Sequence, residues 1–322
     1  MAKELNFDPF PFFEDPHKQT IVSAFFSIPF EPTSETKFVS LPDGDKLALE
    51  VTTPRGWQPT DPTVILVHGL CGSHQSPYLV RMVKKLEPLG IRGVRFNMRC
   101  CGSGRGHAKQ IYHSGRSEDV FAAVKAIQAE APESPLILIG FSLGGNVVLK
   151  LAGELGTLGS AFLKKVIAVS PPADLFSSVL LLGDVENAMY ERYFCRMLRK
   201  EVYYLHKRFK DLPSVHLPRD MKLYEFDQLY TAPRCGFVSA RDYYDKCSAV
   251  NVASEIALPT KVLLSEDDPI VSSSSLDKVN LPSNVDVYKT KKGGHMGYLG
   301  HPRGDKGVYW LDAVLIDWIL EN

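Results

Sequence analysis

The sequence predicts an α/β fold: a mostly parallel eight-stranded sheet with helices on both faces and a helical cap inserted above one edge. Three observations lead there. From residue 64 onward, short continuous apolar runs alternate with stretches of helical period. Runs that are apolar at every position belong to strands covered on both faces. Ahead of them, the turn residues Pro42, Asp43, Gly44 and Asp45 separate two β-type runs, and between residues 169 and 261 the strand rhythm stops.

Taken in order, the chain opens with an arm over residues 1–35, rich in Pro and Phe between residues 7 and 13. Residues 38–41 and 47–51 read as a hairpin about the Asp-Gly turn. Residues 64–67 are a β-branched run that ends at His68 and Gly69. Residues 76–89 have helical period, and 93–96 are the next strand. Ser117, Glu118 and Asp119 start a helix through Glu130 with an apolar face at Val120, Val124 and Ile127. Residues 136–139 form a buried strand and 144–155 a helix. Residues 166–169, 261–264 and 285–288 are three more strands. The last helix, about 307–320, carries Val308, Leu311, Leu315 and Trp318 as a stripe. Residues 174–250 hold Tyr190, Phe194, Leu198, Leu205 and Phe209 at helical spacing. They read as a mainly helical cap above the C-terminal edge of the sheet, within a single domain over residues 1–322. That edge is where open α/β sheets bind ligands.

Composition narrows the function. Lys plus Arg equals Asp plus Glu, 37 against 37 in 322 residues, so no global field draws the chain to nucleic acid. Six cysteines occur without a C-x-x-C pair. This pattern gives no zinc signature, and free thiols are expected in a reducing compartment. The N-terminus lacks a basic region followed by a long apolar stretch. The longest apolar runs are too short to span a bilayer. The expectation is a cytoplasmic protein without a transmembrane segment, for which peripheral membrane contact stays open. The stretch from Arg192 to Lys210 carries seven basic residues. It reads as the solvated outer face of a cap helix, with anionic headgroups or an acyl-phosphate or CoA moiety as the sharper alternative.

Acyl transfer needs an activated nucleophile, a base, a group that orients the base, and donors for an oxyanion. Gly140, Phe141, Ser142, Leu143 and Gly144 form G-x-S-x-G between a strand and a helix. That is the setting of a nucleophile elbow, tight enough that side chains two residues either side of Ser142 would clash. Ser142 is the expected nucleophile. The backbone N–H of Leu143 is one expected oxyanion donor. Leu70 N–H, in the loop after the strand 64–67, is the other, with Cys71 as its alternative. His68 precedes the serine and is read as shaping that loop. In the loop after the strand 261–264, Asp268 is the expected acid, ahead of Asp267 and, remotely, Glu266. In the glycine-rich loop after the strand 285–288, His295 is the expected base, ahead of His301. The H-x4-D match at His206 and Asp211 is read as coincidence, and the adjacent Cys100 and Cys101 as buried thiols.

These residues together resemble the YheT-like branch of the α/β-hydrolase superfamily. That branch holds bacterial esterase-like proteins, animal membrane-anchored phospholipase-like hydrolases and yeast medium-chain ethyl-ester synthases. The resemblance covers nearly the whole chain, through residues 17–20, 68–72, 74–78, 97–99, 112–115, 140–146, 170–174, 225–227, 231–233, 242–244, 267–269 and 293–295. It implies Ser142, Asp268 and His295 as a catalytic triad. Two departures stand out. The branch usually carries Gly where Cys100 follows Arg99, so a loop near the pocket is expected to differ. The animal members' membrane anchor is also not expected in this chain.

The expected function is a serine-type carboxylic-ester hydrolase acting on short- to medium-chain acyl esters through an acyl-enzyme. No metal or organic cofactor is expected, and the partner is a small-molecule ester. The alternatives are an acyltransferase or ester synthase with an alcohol as acceptor, and a non-catalytic binding protein on a hydrolase fold.

Overall fold

A computed structural model describes residues 2–25, 31–302 and 307–321. Residues 26–30 of the expected N-terminal arm therefore lie outside the described residues, as do residues 1, 303–306 and 322.

Nine strands form one sheet: β1 (Lys3–Glu4), β2 (Glu35–Ser40), β3 (Lys46–Thr52), β4 (Thr63–Val67), β5 (Arg92–Asn97), β6 (Leu136–Phe141), β7 (Lys165–Val169), β8 (Thr260–Ser265) and β9 (Val285–Thr290). Their order across the sheet is β1-β9-β8-β7-β6-β4-β5-β3-β2. β3 runs antiparallel to both β2 and β5, and the remaining pairs are parallel. Eight strands match the sequence reading. The ninth, β1, is two residues of the arm paired parallel with β9, too short to carry a period of two. The arm also holds a helix the sequence reading left unassigned, α1 (Pro16–Phe25).

Alternation along the strands sorts the core into two faces. Val64, Leu66, Ile137, Ile139, Ile167 and Leu263 pack with α2 (Pro77–Leu86) and α10 (Trp310–Leu320). Ile65, Val67, Leu138, Val166, Ala168 and Val262 belong to the other face, beneath α3 (Ser117–Glu130) and α4 (Leu143–Leu155). β4 and β6 are buried at every position.

Between β7 and β8 the chain is helical, with no strand among the described residues. It runs through α5 (Leu175–Leu182), the 21-residue α6 (Ala188–Arg208), α7 (Leu223–Phe226), a π-helical turn Asp227–Thr231, α8 (Ala232–Arg234) and α9 (Ala240–Cys247). Tyr190, Leu198 and Leu205 of α6 are buried as their spacing predicts. Among the described residues, no helix is long and apolar enough to cross a membrane.

Candidate active site

Ser142 sits between β6 and α4 with φ +52° and ψ −122°, a conformation an L-residue adopts only when its surroundings impose it. The surroundings do so here. A Cβ on Gly140 would lie 2.2 Å from the Gly144 carbonyl oxygen, and one on Gly144 would lie 2.5 Å from the carbonyl oxygen of Val67. Only glycine at both positions lets the turn close against β4. The Ser142 N–H donates to the Val169 carbonyl at 2.8 Å, which ties the turn to β7.

Two further loops on the same edge of the sheet complete a relay. Ser142 Oγ is 2.8 Å from His295 Nε2, and His295 Nδ1 is 2.8 Å from Asp268 Oδ2. His295 and Asp268 are both buried. Asp268 uses its second oxygen, Oδ1, to accept the N–H groups of Ile270 (2.8 Å) and Val271 (3.0 Å). The carboxylate is thereby held by its own loop while it faces the imidazole. Asp267 goes elsewhere: its Oδ1 accepts from Ser265 Oγ at 2.5 Å and from Gly294 N–H at 2.8 Å. It braces the loop that carries His295. Glu266 is exposed, and His301 is exposed beside Asp8. His206 meets the Tyr230 hydroxyl, while exposed Asp211 pairs with Lys109.

The loop after β4 is held by two tyrosine hydroxyls. Gly69 N–H donates to Tyr78 Oη at 2.9 Å, and Cys71 N–H donates to Tyr112 Oη at 2.8 Å. Between them, Leu70 N–H has no hydrogen-bond partner among the described residues. Leu143 N–H is likewise unpaired in the first turn of α4, where helix N–H groups point outward. His68 lies beneath, fully buried. Its Nε2 accepts from Met98 N–H at 3.1 Å, so Nδ1 carries the proton and donates to the Gly69 carbonyl at 2.8 Å. Burial pushes this imidazole down to about 4, which keeps it neutral. Desolvation likewise pushes the Cys71 thiol up to about 12, so it is no nucleophile near neutral pH.

The arm contributes too. His295 N–H donates to Thr20 Oγ1 at 2.9 Å, and Gln19 brackets Leu299 through both ends of its side-chain amide. Sequence reasoning missed Thr20, Gln19, Tyr78, Tyr112 and the bracing by Asp267. The signal was present: residues 17–20, 74–78 and 112–115 are among the stretches that carry the family resemblance. Arg99 is buried among Asp43, Asp45 and Asp119. Cys100, where the branch usually has Gly, holds φ +66° with its thiol toward the carbonyls of Ala108 and Gln110.

Two apolar cavities meet at Ser142. The first runs between Leu70, Leu143 and the helical segment at Leu175, Val179, Phe194 and Phe226. The second is lined by α1, Tyr78, Met189, Tyr193, Met296 and His295. Both touch Leu70, Phe194 and Ile270. Among the described residues, no group of three or more His, Cys, Asp or Glu could hold a metal ion.

Residues 62–302 match the sequence profile of the family described as alpha/beta hydrolase fold. The chain belongs to this family. Within it, the chain is 29% identical to "Putative esterase YheT" of Escherichia coli over 99% of its own length and 94% of the relative's. It is 26% identical to a monoacylglycerol lipase of Saccharomyces cerevisiae over 74% of this chain, spanning 55% of that protein. Est1E of Butyrivibrio proteoclasticus superposes with a TM-score of 0.57 at 15% identity, covering 89% of this hydrolase-fold chain and 98% of Est1E. That likeness is one of fold.

Proposed function

We propose that the chain is a serine-type carboxylic-ester hydrolase that works through an acyl-enzyme. The observation that carries this reading is the unbroken relay Ser142–His295–Asp268, 2.8 Å at each step. Ser142 Oγ attacks the acyl carbonyl as His295 Nε2 takes its proton. Asp268 orients the ring and stabilises the imidazolium. The oxyanion is received by Leu70 N–H and Leu143 N–H, a pair in which each donor is worth roughly a hundredfold to a thousandfold in rate. His295 returns the proton to the leaving alkoxide, then activates the water that resolves the acyl-enzyme. The names of relatives that act on esters support the same chemistry.

The position of His295 supports an assignment of the two cavities. The group that leaves must depart on the side of the imidazole that protonates it. His295 lines the second cavity and not the first, so the second cavity takes the alcohol portion and the first takes the acyl chain. The first, beneath the helical cap of residues 174–250, is lined mainly by apolar side chains such as Leu143, Leu175, Val179, Leu182, Leu198 and Phe226, which suits a short- to medium-chain acyl group. A panel of p-nitrophenyl esters on wild type beside Ser142→Ala tests the reading, with fluorophosphonate labelling at Ser142. Equal turnover by the two proteins would refute it.

The second cavity supports a second reading, in which an alcohol rather than water resolves the acyl-enzyme. Its lining by Ile21, Tyr78, Met189 and Tyr193 favours an apolar acceptor over bulk water. Product analysis with added medium-chain alcohol decides it; free acid as the sole product would remove this reading.

A further inference from the structure

The outer face of α6 has no role in the relay, yet its pattern is regular. Met189, Tyr193, Arg196, Lys200, Tyr203 and Lys207 are all exposed. Their spacing alternates four and three, which places them in one stripe along the helix. The stripe spans about 27 Å at the helical rise of about 1.5 Å per residue. Met189 and Tyr193 at its start line the second cavity. Arg196, Lys200 and Tyr203 in its middle line a surface depression together with Arg199, His216 and Arg219. The substrate-side cavity and a basic groove thus share one helix.

The charge is one-sided. Residues 188–219 contain eight Lys and Arg against three Asp and Glu, in a chain whose net charge is zero. All three acids are engaged away from the groove. Glu191 is buried and accepts from Leu223 N–H, Glu201 pairs with Arg105, and Asp211 pairs with Lys109. Among the described residues, Arg196, Arg199, Lys200 and Arg219 are in no ion pair. The nearest exposed carboxylate in sequence is Asp220.

We infer that the exposed stripe of α6 docks on an anionic lipid surface and presents the second cavity to it. This inference rests on the ester-hydrolase reading for what the docking delivers, but not for the docking itself. A single phosphate would need only the groove. A row this long, in which cations alternate with Met189, Tyr193 and Tyr203, fits a headgroup layer. Aromatic and thioether groups settle at the boundary there while Lys and Arg meet phosphates. Each basic side chain near an anionic leaflet adds to the attraction, and salt screens it.

The test is co-sedimentation with phosphatidylcholine vesicles, with and without phosphatidylserine. It uses the full chain carrying Ser142→Ala so that no lipid is consumed. Binding is expected only to the vesicles with phosphatidylserine, and raised salt should release it. The double charge reversal Arg196→Glu with Lys200→Glu should weaken binding by at least tenfold. In the Ser142-containing chain it should leave turnover of a water-soluble short-chain ester unchanged, since neither residue lines the two cavities. Equal sedimentation with neutral vesicles, or undiminished binding by the reversed variant, would overturn the inference. Vesicle binding by a protein inactive on every ester would instead refute the hydrolase reading and leave the docking surface standing.

Discussion

The C-terminal edge of the sheet and the helical segment above it are built on different principles. At the edge, each member of the candidate site sits in the loop after a strand: residues 68–72 after β4, Ser142 after β6, Asp268 after β8 and His295 after β9. Those loops are held by hydrogen bonds to the backbone, some local, as the two N–H groups that Asp268 accepts from residues two and three positions on, and some distant, as Thr20 on His295 N–H. The segment above has no strand to anchor it among the described residues, and its packing is side chain against side chain. Phe226, Tyr230 and Leu198 are buried by one another and by the sheet rather than by a backbone ladder. The difference teaches that reaction and selectivity can be altered separately. On the proposed function, the edge sets whether an acyl group is transferred, and the segment sets which one reaches the serine.

The sharpest way to break that division is at the edge. Ser142→Ala should lower kcat on the order of a millionfold, with near-wild-type thermal unfolding, measured on a p-nitrophenyl ester. Asp268→Asn should cost about ten thousandfold, whereas Asp267→Asn should cost about tenfold because it only braces Gly294. The reverse ranking would exchange the roles of the two carboxylates. Next comes pH. His68 folds with a value of about 4 against about 6.5 when unfolded. The unfolded chain therefore binds more protons between those values, and stability is lost as pH falls from 6.5 to 4, by up to about 3 kcal/mol. Chemical denaturation across that window should show this slope, and His68→Asn should flatten it; an unchanged slope would place the titrating group elsewhere.

Two smaller effects test the other side of the division. Val179→Trp fills the first cavity from α5. It should cut kcat/KM for longer acyl chains by more than tenfold while changing short esters by less than about threefold. A uniform loss over all chain lengths would contradict the assignment of that cavity to the acyl group. Tyr112→Phe removes the hydroxyl that accepts Cys71 N–H. A positioning residue of this kind should lower kcat about fivefold, roughly the worth of one hydrogen bond, and leave KM unchanged. A change confined to KM would mean that Tyr112 contacts substrate instead.

Much of this was legible in residue order because strand-loop-helix units are local. The apolar runs at residues 64–67 and 136–139, the glycines at 140 and 144, and an acid and a histidine each following a strand all lie within short windows. The boundaries of α3, residues 117–130, were readable from its acidic first turn and its apolar stripe. Other features depend on residues far apart in the chain, and no window contains both partners. Thr20 reaches His295 across 275 positions, Gln19 reaches Leu299 across 280, and Tyr112 reaches Cys71 across 41. The two-residue strand β1 exists only because β9 offers it an edge.

The sequence by itself determined the tight strand-to-helix turn at Ser142, since such a turn needs glycine at both flanks. It also determined the order of the acid and the base, since each falls in a loop that its own strand delivers. The sequence placed Asp268 ahead of Asp267 without separating them physically, and the tertiary structure is what turns only one of the two toward the imidazole. The folded loops of β8 and β9 turn Asp268 toward His295 and Asp267 toward Gly294. Tertiary structure likewise decided the two cavities at Ser142, because their walls come from α1, the loop after β4 and helices α5 to α9, which meet only once the chain has folded.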